Sequence, residues 1–436
     1  MTVDDRRDSF VTRLPPHPSS VRRARMLVRQ GLAAAGRDEL SDAAELAVSE
    51  VVTNALVHAG TSIDVAVRVG SGGVRVEVRD GSRHAPAPRH YAPTAGTGRG
   101  LMLLEEMVDT WGVVAQECGK TVWFQLDSHG EQPGDVAPAQ AGGAAPEPPG
   151  AEAVQLFAFP LLLHHAWHQH AESLLREYLL ASLDPDGGPG AAAEGPDPIQ
   201  VHADASEALA VLSEHVPRPD VGDDPGSVMS TAMEPDVSCP LVSLPVQRGA
   251  AAHFETLDRA LDHALLMADD GLLLTAPTQP EVRMLRRWIC AQVRTQLAGG
   301  EAEPFSAADQ APPEARHPLV FDTAAVDGSA EAVVAADDAN RIVAVSDPAL
   351  EILGYDDRSE LVGLRIVAII PDRYRQAHLA GFTLHFLTGR APLLGATVAV
   401  PVRRRDGSER PVELTLTSHR APHGRTVFLG DLRPAQ

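Results

Sequence analysis

Apolar and polar positions in the first 126 residues alternate between two periods. Phe10–Leu14 reads as a short strand, and Ser20–Ala35 as an Arg-rich amphipathic helix. Ser41–Ala59 reads as a second helix, with Ser41 as its N-cap and Gly60 just past its end. Leu46, Val48, Val51, Val52, Ala55 and Leu56 are its expected buried positions. Ser62–Val69 and Val74–Val78 alternate at period two around Gly70–Gly73, the pattern of a hairpin. Gly100–Thr110 reads as helix, and Val113–Gln116 and Thr121–Leu126 as strands around a turn at Cys118-Gly119.

The rest of the chain changes period again. Leu161–Leu180, Ala205–His215, Thr256–Met267 and Glu281–Leu297 carry apolar residues at helical spacing, which predicts a small helical bundle. Toward the C-terminus the pattern returns to strands. They are expected at Ala332–Ala336, Ile342–Val345, Ala396–Arg403, Arg410–Ser418 and Thr426–Leu429, with Asp406-Gly407 as a hairpin turn. Pro-, Gly- and Ala-rich stretches at 129–153 and 299–325 separate the blocks as linkers. The expected division is 1–128, 154–298 and 326–436, an α+β multidomain chain with an α/β sandwich, a helical middle and an antiparallel sheet with flanking helices.

Composition narrows the function. Against 59 acidic residues stand 37 basic ones, for a net charge of −22. Nucleic-acid binding needs clustered cations to neutralise phosphates, so this balance argues against it. No polybasic membrane patch, signal-peptide-like N-terminus or spanning-length apolar run is evident, and the three cysteines form no pair or framework. A cytoplasmic location is the expectation.

Four short elements carry the candidate chemistry. On the second helix Glu50, Asn54 and His58 recur every four residues and so lie along one face. An Asn oxygen suits Mg2+, and a Glu one turn away suits deprotonation of a hydroxyl. Alone, the same face also fits a merely solvated side. Asp80-Gly81 follows a strand, where a carboxylate can accept from an adenine amino group; alone it is an ordinary turn. Gly96-Thr-Gly-Arg-Gly-Leu101 opens a helix with glycines that let backbone N–H groups approach phosphates. Gly119-Lys-Thr-Val-Trp123 starts a strand, with Thr121 expected near the nucleotide.

In this order the four elements resemble the GHKL, or Bergerat, ATPase superfamily, and most of all its anti-sigma-factor serine kinases, over roughly residues 10–127. The resemblance implies ATP and Mg2+ as cofactors. It makes Glu50 the general base, Asn54 the Mg2+ ligand and Asp80 with Gly81 the adenine reader. Gly96, Gly98, Gly100 and Leu101 become the phosphate lid. It also implies a Ser/Thr-phosphorylated partner, a sigma factor or anti-sigma antagonist type of protein. One departure is that the second motif, usually D-x-G-x-G, has Ser82 at its first later glycine.

The C-terminal run, with P-A-L-E-I-L-G-Y, E-L-V-G and the R-R-D-G-S hairpin, resembles a PAS sensor domain over roughly 328–432. That implies a small ligand or a docked partner, and as a family expectation a homodimer. His378 resembles the proximal histidine of haem-binding members, but Leu384 and Val398 stand where those use basic residues, so a structural or surface histidine is the default. In the middle block only His164 and His168 share a face for gripping a metal; an interfacial polar face is the plainer reading.

The function expected from all this is a signalling regulator that binds Mg-ATP, phosphorylates a partner and is modulated by its PAS domain. The alternative is a non-catalytic scaffold that sequesters a partner. A histidine autokinase is a third reading, opposed by the order of the blocks.

Overall fold

The computed structural model describes residues 9–70, 73–82, 104, 107–116, 119–126, 150–183, 196–220, 224–277, 279–306, 319, 321–422 and 425–435. The N-terminal part is a five-stranded antiparallel sheet in the order β1-β2-β3-β5-β4. Its strands are β1 (Ser9–Leu14), β2 (Ile63–Gly70), β3 (Gly73–Asp80), β4 (Thr110–Gln116) and β5 (Gly119–Leu126). Helices α1 (Ser19–Ala34) and α2 (Ser41–Ala59) cover one face. Alternation decides which side chains face them: Val74, Val76, Val78 and Asp80 point inward from β3, and Lys120, Val122, Phe124 and Leu126 from β5.

Helix α2 buries Ala44, Ala47, Val48, Val51, Val52, Ala55 and Leu56 in that core. Leu46, expected inside, is 47% exposed, because the 3.6 period turns it to the side of the helix opposite the buried stripe. The helix ends on Gly60 in the left-handed region, φ 57, as its position past the last apolar residue predicts. Ser41 opens the helix without capping it; no side-chain cap bond forms there.

The middle part holds the expected helices and adds a two-stranded ribbon to them. Ten-residue strands β6 (Ala151–Pro160) and β7 (Ser238–Gln247) pair antiparallel and lay Val154, Leu156, Val242, Leu244 and Val246 on the core. The helices around that core are α3 (Leu161–Leu183), α4 (Pro198–His215), α6 (Ala251–Asp269) and α7 (Pro280–Leu297); α5 (Pro225–Thr231) is short. Pro240 and Pro245 mask β7 in the sequence. A ribbon of two strands tolerates them because each strand has an unpaired outer side. The stretch read as linker over 129–153 thus already contains the start of β6.

The C-terminal part is a second five-stranded antiparallel sheet, β10-β11-β12-β8-β9. Its strands are β8 (Val333–Asp337), β9 (Ile342–Val345), β10 (Thr397–Arg403), β11 (Glu409–Arg420) and β12 (Thr426–Pro434). Helices α8 (Thr323–Asp327), α9 (Asp347–Leu353) and α10 (Asp372–Thr388) flank it. Helix α8 begins inside the segment read as linker over 299–325. In the β8–β9 turn Asp337 Oδ1 accepts from the N–H groups of Ala339 and Arg341, and Asn340 takes φ 64. Among the described residues no helix is long and apolar enough to cross a membrane.

Candidate nucleotide site

Asp80 ends β3 on the helix-covered side of the sheet, with its side chain 1% exposed. The backbone N–H of Ser82 donates to its Oδ1 at 2.8 Å. The motif's departure from glycine is therefore used through the backbone, which either residue supplies. Next to it, the N–H of Gly81 donates to Thr61 Oγ1 at 2.8 Å, tying the strand end to the segment just after α2. A Cβ on Gly119, at φ 129, would lie 2.0 Å from the Asp80 carbonyl oxygen, so only glycine lets β5 begin there.

The register pairs Asp80 with Lys120, and Arg79 with Thr121. Since side chains alternate, Lys120 shares the inner face with Asp80 and Thr121 points to the outer one. There Gln116 Nε2 donates to Thr121 Oγ1 at 3.3 Å. Thr121, expected near the nucleotide, therefore lies on the face of β5 away from Asp80, and Lys120 takes the inner position. Its Nζ lies 3.9 Å from Asp80 Oδ2, and its side chain is 7% exposed. Burial pushes the Asp80 carboxyl up and the Lys120 ammonium down; each partner's charge opposes the shift of the other, and Glu207 reinforces the rise of Asp80 while opposing the fall of Lys120.

Glu50 and Asn54 sit on α2 at neighbouring turns, both partly exposed on the flank of its buried stripe. The side chain of His58, and the whole of Gly96, Gly98, Gly100 and Leu101, lie outside the described residues. An inward carboxylate at a strand end, a glycine that admits no Cβ beside it and a helix flank with Asn and Glu fit a purine nucleotide with its metal.

Two other candidate positions resolve into the packing. His378 Nε2 lies 2.8 Å from Asn340 Oδ1, joining α10 to the β8–β9 turn, and burial pulls its pKa down to about 4. His164 and His168 face the core of the middle part, not a polar interface: His164 lies against Phe159 and Trp167, and His168 Nε2 against the Leu209 carbonyl at 3.1 Å. Reading the period alone missed this because the apolar stripe of α3 is wide enough to enclose the histidine positions.

Comparison with known proteins agrees with both ends of the chain. Residues 14–126 match the model of the histidine kinase-like ATPase domain, and residues 322–435 that of the PAS fold. An uncharacterised protein of Azorhizobium caulinodans is 38% identical over 111 residues; the match spans 25% of this chain and 15% of that one. The PAS domain of an HTR-like protein from Haloarcula marismortui is 24% identical, over 26% of this chain and 93% of its own, at TM-score 0.20. A PAS domain from a two-component sensor histidine kinase is 20% identical, over 25% and 88%, at TM-score 0.20. An RNA-binding light-oxygen-voltage receptor is 12% identical, over 85% and 77%, at TM-score 0.22. At these TM-scores the overlaps carry no argument, and the PAS assignment rests on the family match and the five-stranded antiparallel sheet.

Proposed function

From a chain that joins a histidine kinase-like ATPase domain to a PAS domain, the make-up of an ATP-binding signalling regulator, we propose that the N-terminal domain phosphorylates a Ser or Thr of a partner protein. The partner is a regulator of the sigma-factor or anti-sigma-antagonist type, and the PAS domain modulates the transfer. The observation that carries this reading is the pairing of an inward Asp80 with a helix flank bearing Glu50 and Asn54. Bound Mg-ATP supplies the phosphoryl group and the charge compensation for its transfer. Asp80 accepts a hydrogen bond from the amino group of the base. Asn54 offers its side-chain oxygen to the cation. Glu50 takes the proton of the attacking hydroxyl as its oxygen bonds to phosphorus and the bond to the departing diphosphate breaks.

Calorimetry of Mg-ATP binding to the full chain tests it. Asp80→Asn should weaken binding roughly 10- to 100-fold, the loss of one charged hydrogen bond. Phosphate transfer to a partner should vanish in Glu50→Ala while binding stays. Binding without transfer in either protein would leave the non-catalytic scaffold as the better account, and no binding in wild type would remove the nucleotide reading.

A further inference from the structure

Helix α4 belongs to the middle part of the chain, yet it packs on the end of α2 that leads to Asp80. His202 Nδ1 lies 2.7 Å from the Val57 carbonyl oxygen. Gly60 touches the same helix so closely that an added Cβ would stand 2.4 Å from the Cβ of Ala203. Thr61 follows Gly60 and accepts from the N–H of Gly81, the neighbour of Asp80. One turn after Ala203, on the same face of α4, comes Glu207. The helix therefore delivers Glu207 toward the end of the sheet where Asp80 and Lys120 lie buried side by side.

That arrangement solves a conflict within the site. A buried ammonium next to a base-reading carboxylate competes with the base for it. Lys120 Nζ nevertheless stands 3.9 Å from Asp80 Oδ2, beyond hydrogen-bond distance, while Oδ1 is already used by Ser82. We propose that Glu207 is a positioning residue of the nucleotide site: from α4 it holds the Lys120 ammonium away from Asp80, so that Oδ2 stays available to the amino group of a purine. The nucleotide site is thereby completed by the middle part of the chain, and docking of α4 and binding of nucleotide favour each other. The electrostatics agree, since Glu207 acts on both buried groups.

The inference rests on the nucleotide reading above, and the experiment separates the two. Mg-ATP affinity is measured by calorimetry on the full chain for wild type, Glu207→Gln and the double variant Glu207→Gln/Lys120→Met. The expected result is about tenfold weaker binding in Glu207→Gln, because Lys120 then settles on Asp80, and recovery to within about threefold of wild type in the double variant, which has no competing cation. A purely structural role for Glu207 gives no recovery. Should Glu207→Gln unfold, Glu207→Asp, which keeps the charge with shorter reach, is used in its place and read in the same two backgrounds. Unchanged affinity in the single variant, or a double variant as weak as the single one, overturns the proposal while leaving the nucleotide reading intact. Absence of binding in wild type overturns both.

Discussion

The middle part of the chain grips its two neighbours in different ways. Toward the ATPase domain, α4 meets α2 through small residues and backbone: Ala203 against Gly60, and the His202 ring against a main-chain carbonyl. Toward the PAS domain, α3 meets α10 through one amide. Gln376 Oε1 accepts from the N–H groups of Leu162 and Leu163 at 2.8 and 3.2 Å, and its Nε2 donates to Glu234 and Ser238. Leu379 and Ala380 pack beside it, and Arg365 pairs with Glu281 at 2.7 Å. The first contact depends on shape and the second on satisfied polar groups, so they should fail under different substitutions.

The largest effect is expected from Gly60→Ala. The left-handed backbone costs a Cβ about 1–2 kcal/mol, and the overlap with Ala203 forces the helices apart for about 1–3 kcal/mol more. Chemical denaturation should show a loss of roughly 3–4 kcal/mol in all, together with weaker nucleotide binding; a stable variant with normal binding would break the comparison at its first member. Gln376→Met keeps the volume but strips two N–H groups at the start of α3 and the Glu234 carboxylate of their partner. A loss of about 2–3 kcal/mol is expected, with nucleotide binding less affected than in Gly60→Ala.

Acid should act at both ends together. Burial lowers His202 on α4 and His378 on α10 to about 4. In the unfolded chain each takes its proton near pH 6.5. Between these values the unfolded state binds more protons, so stability falls as pH falls. By pH 5 each histidine should contribute about 2 kcal/mol of destabilisation. A pH series on His202→Asn and His378→Asn should flatten the loss by one share each; parallel slopes would contradict the assignment. The smallest effect serves as control: Leu274, 97% exposed and outside both contacts, should tolerate Ser within about 0.5 kcal/mol.

Much of the two terminal folds was legible in the chain. The α2 stripe, the Gly60 stop and the alternation of β2 and β3 are local patterns, and local patterns survive folding when one face of an element is buried. The middle ribbon was not legible, since β6 finds its partner β7 more than seventy residues later and that partner contains prolines. Glu50, Asn54 and Asp80 are singled out in the chain by the order of the motifs and the resemblance they carry, whereas the faces of Thr121 and Lys120 could be told apart only from the β3–β5 register.

The sequence by itself determined which residues can read a base, hold a cation or take a proton, because those capacities belong to side-chain chemistry and to the order of short motifs. The tertiary structure decided which of them meet. It placed Lys120, not Thr121, beside Asp80, buried His164 and His168, and brought Glu207 of another region to the same end of the sheet. Register and the docking of α4 on α2 set those encounters, and both depend on contacts between residues far apart in the chain, which no local period records.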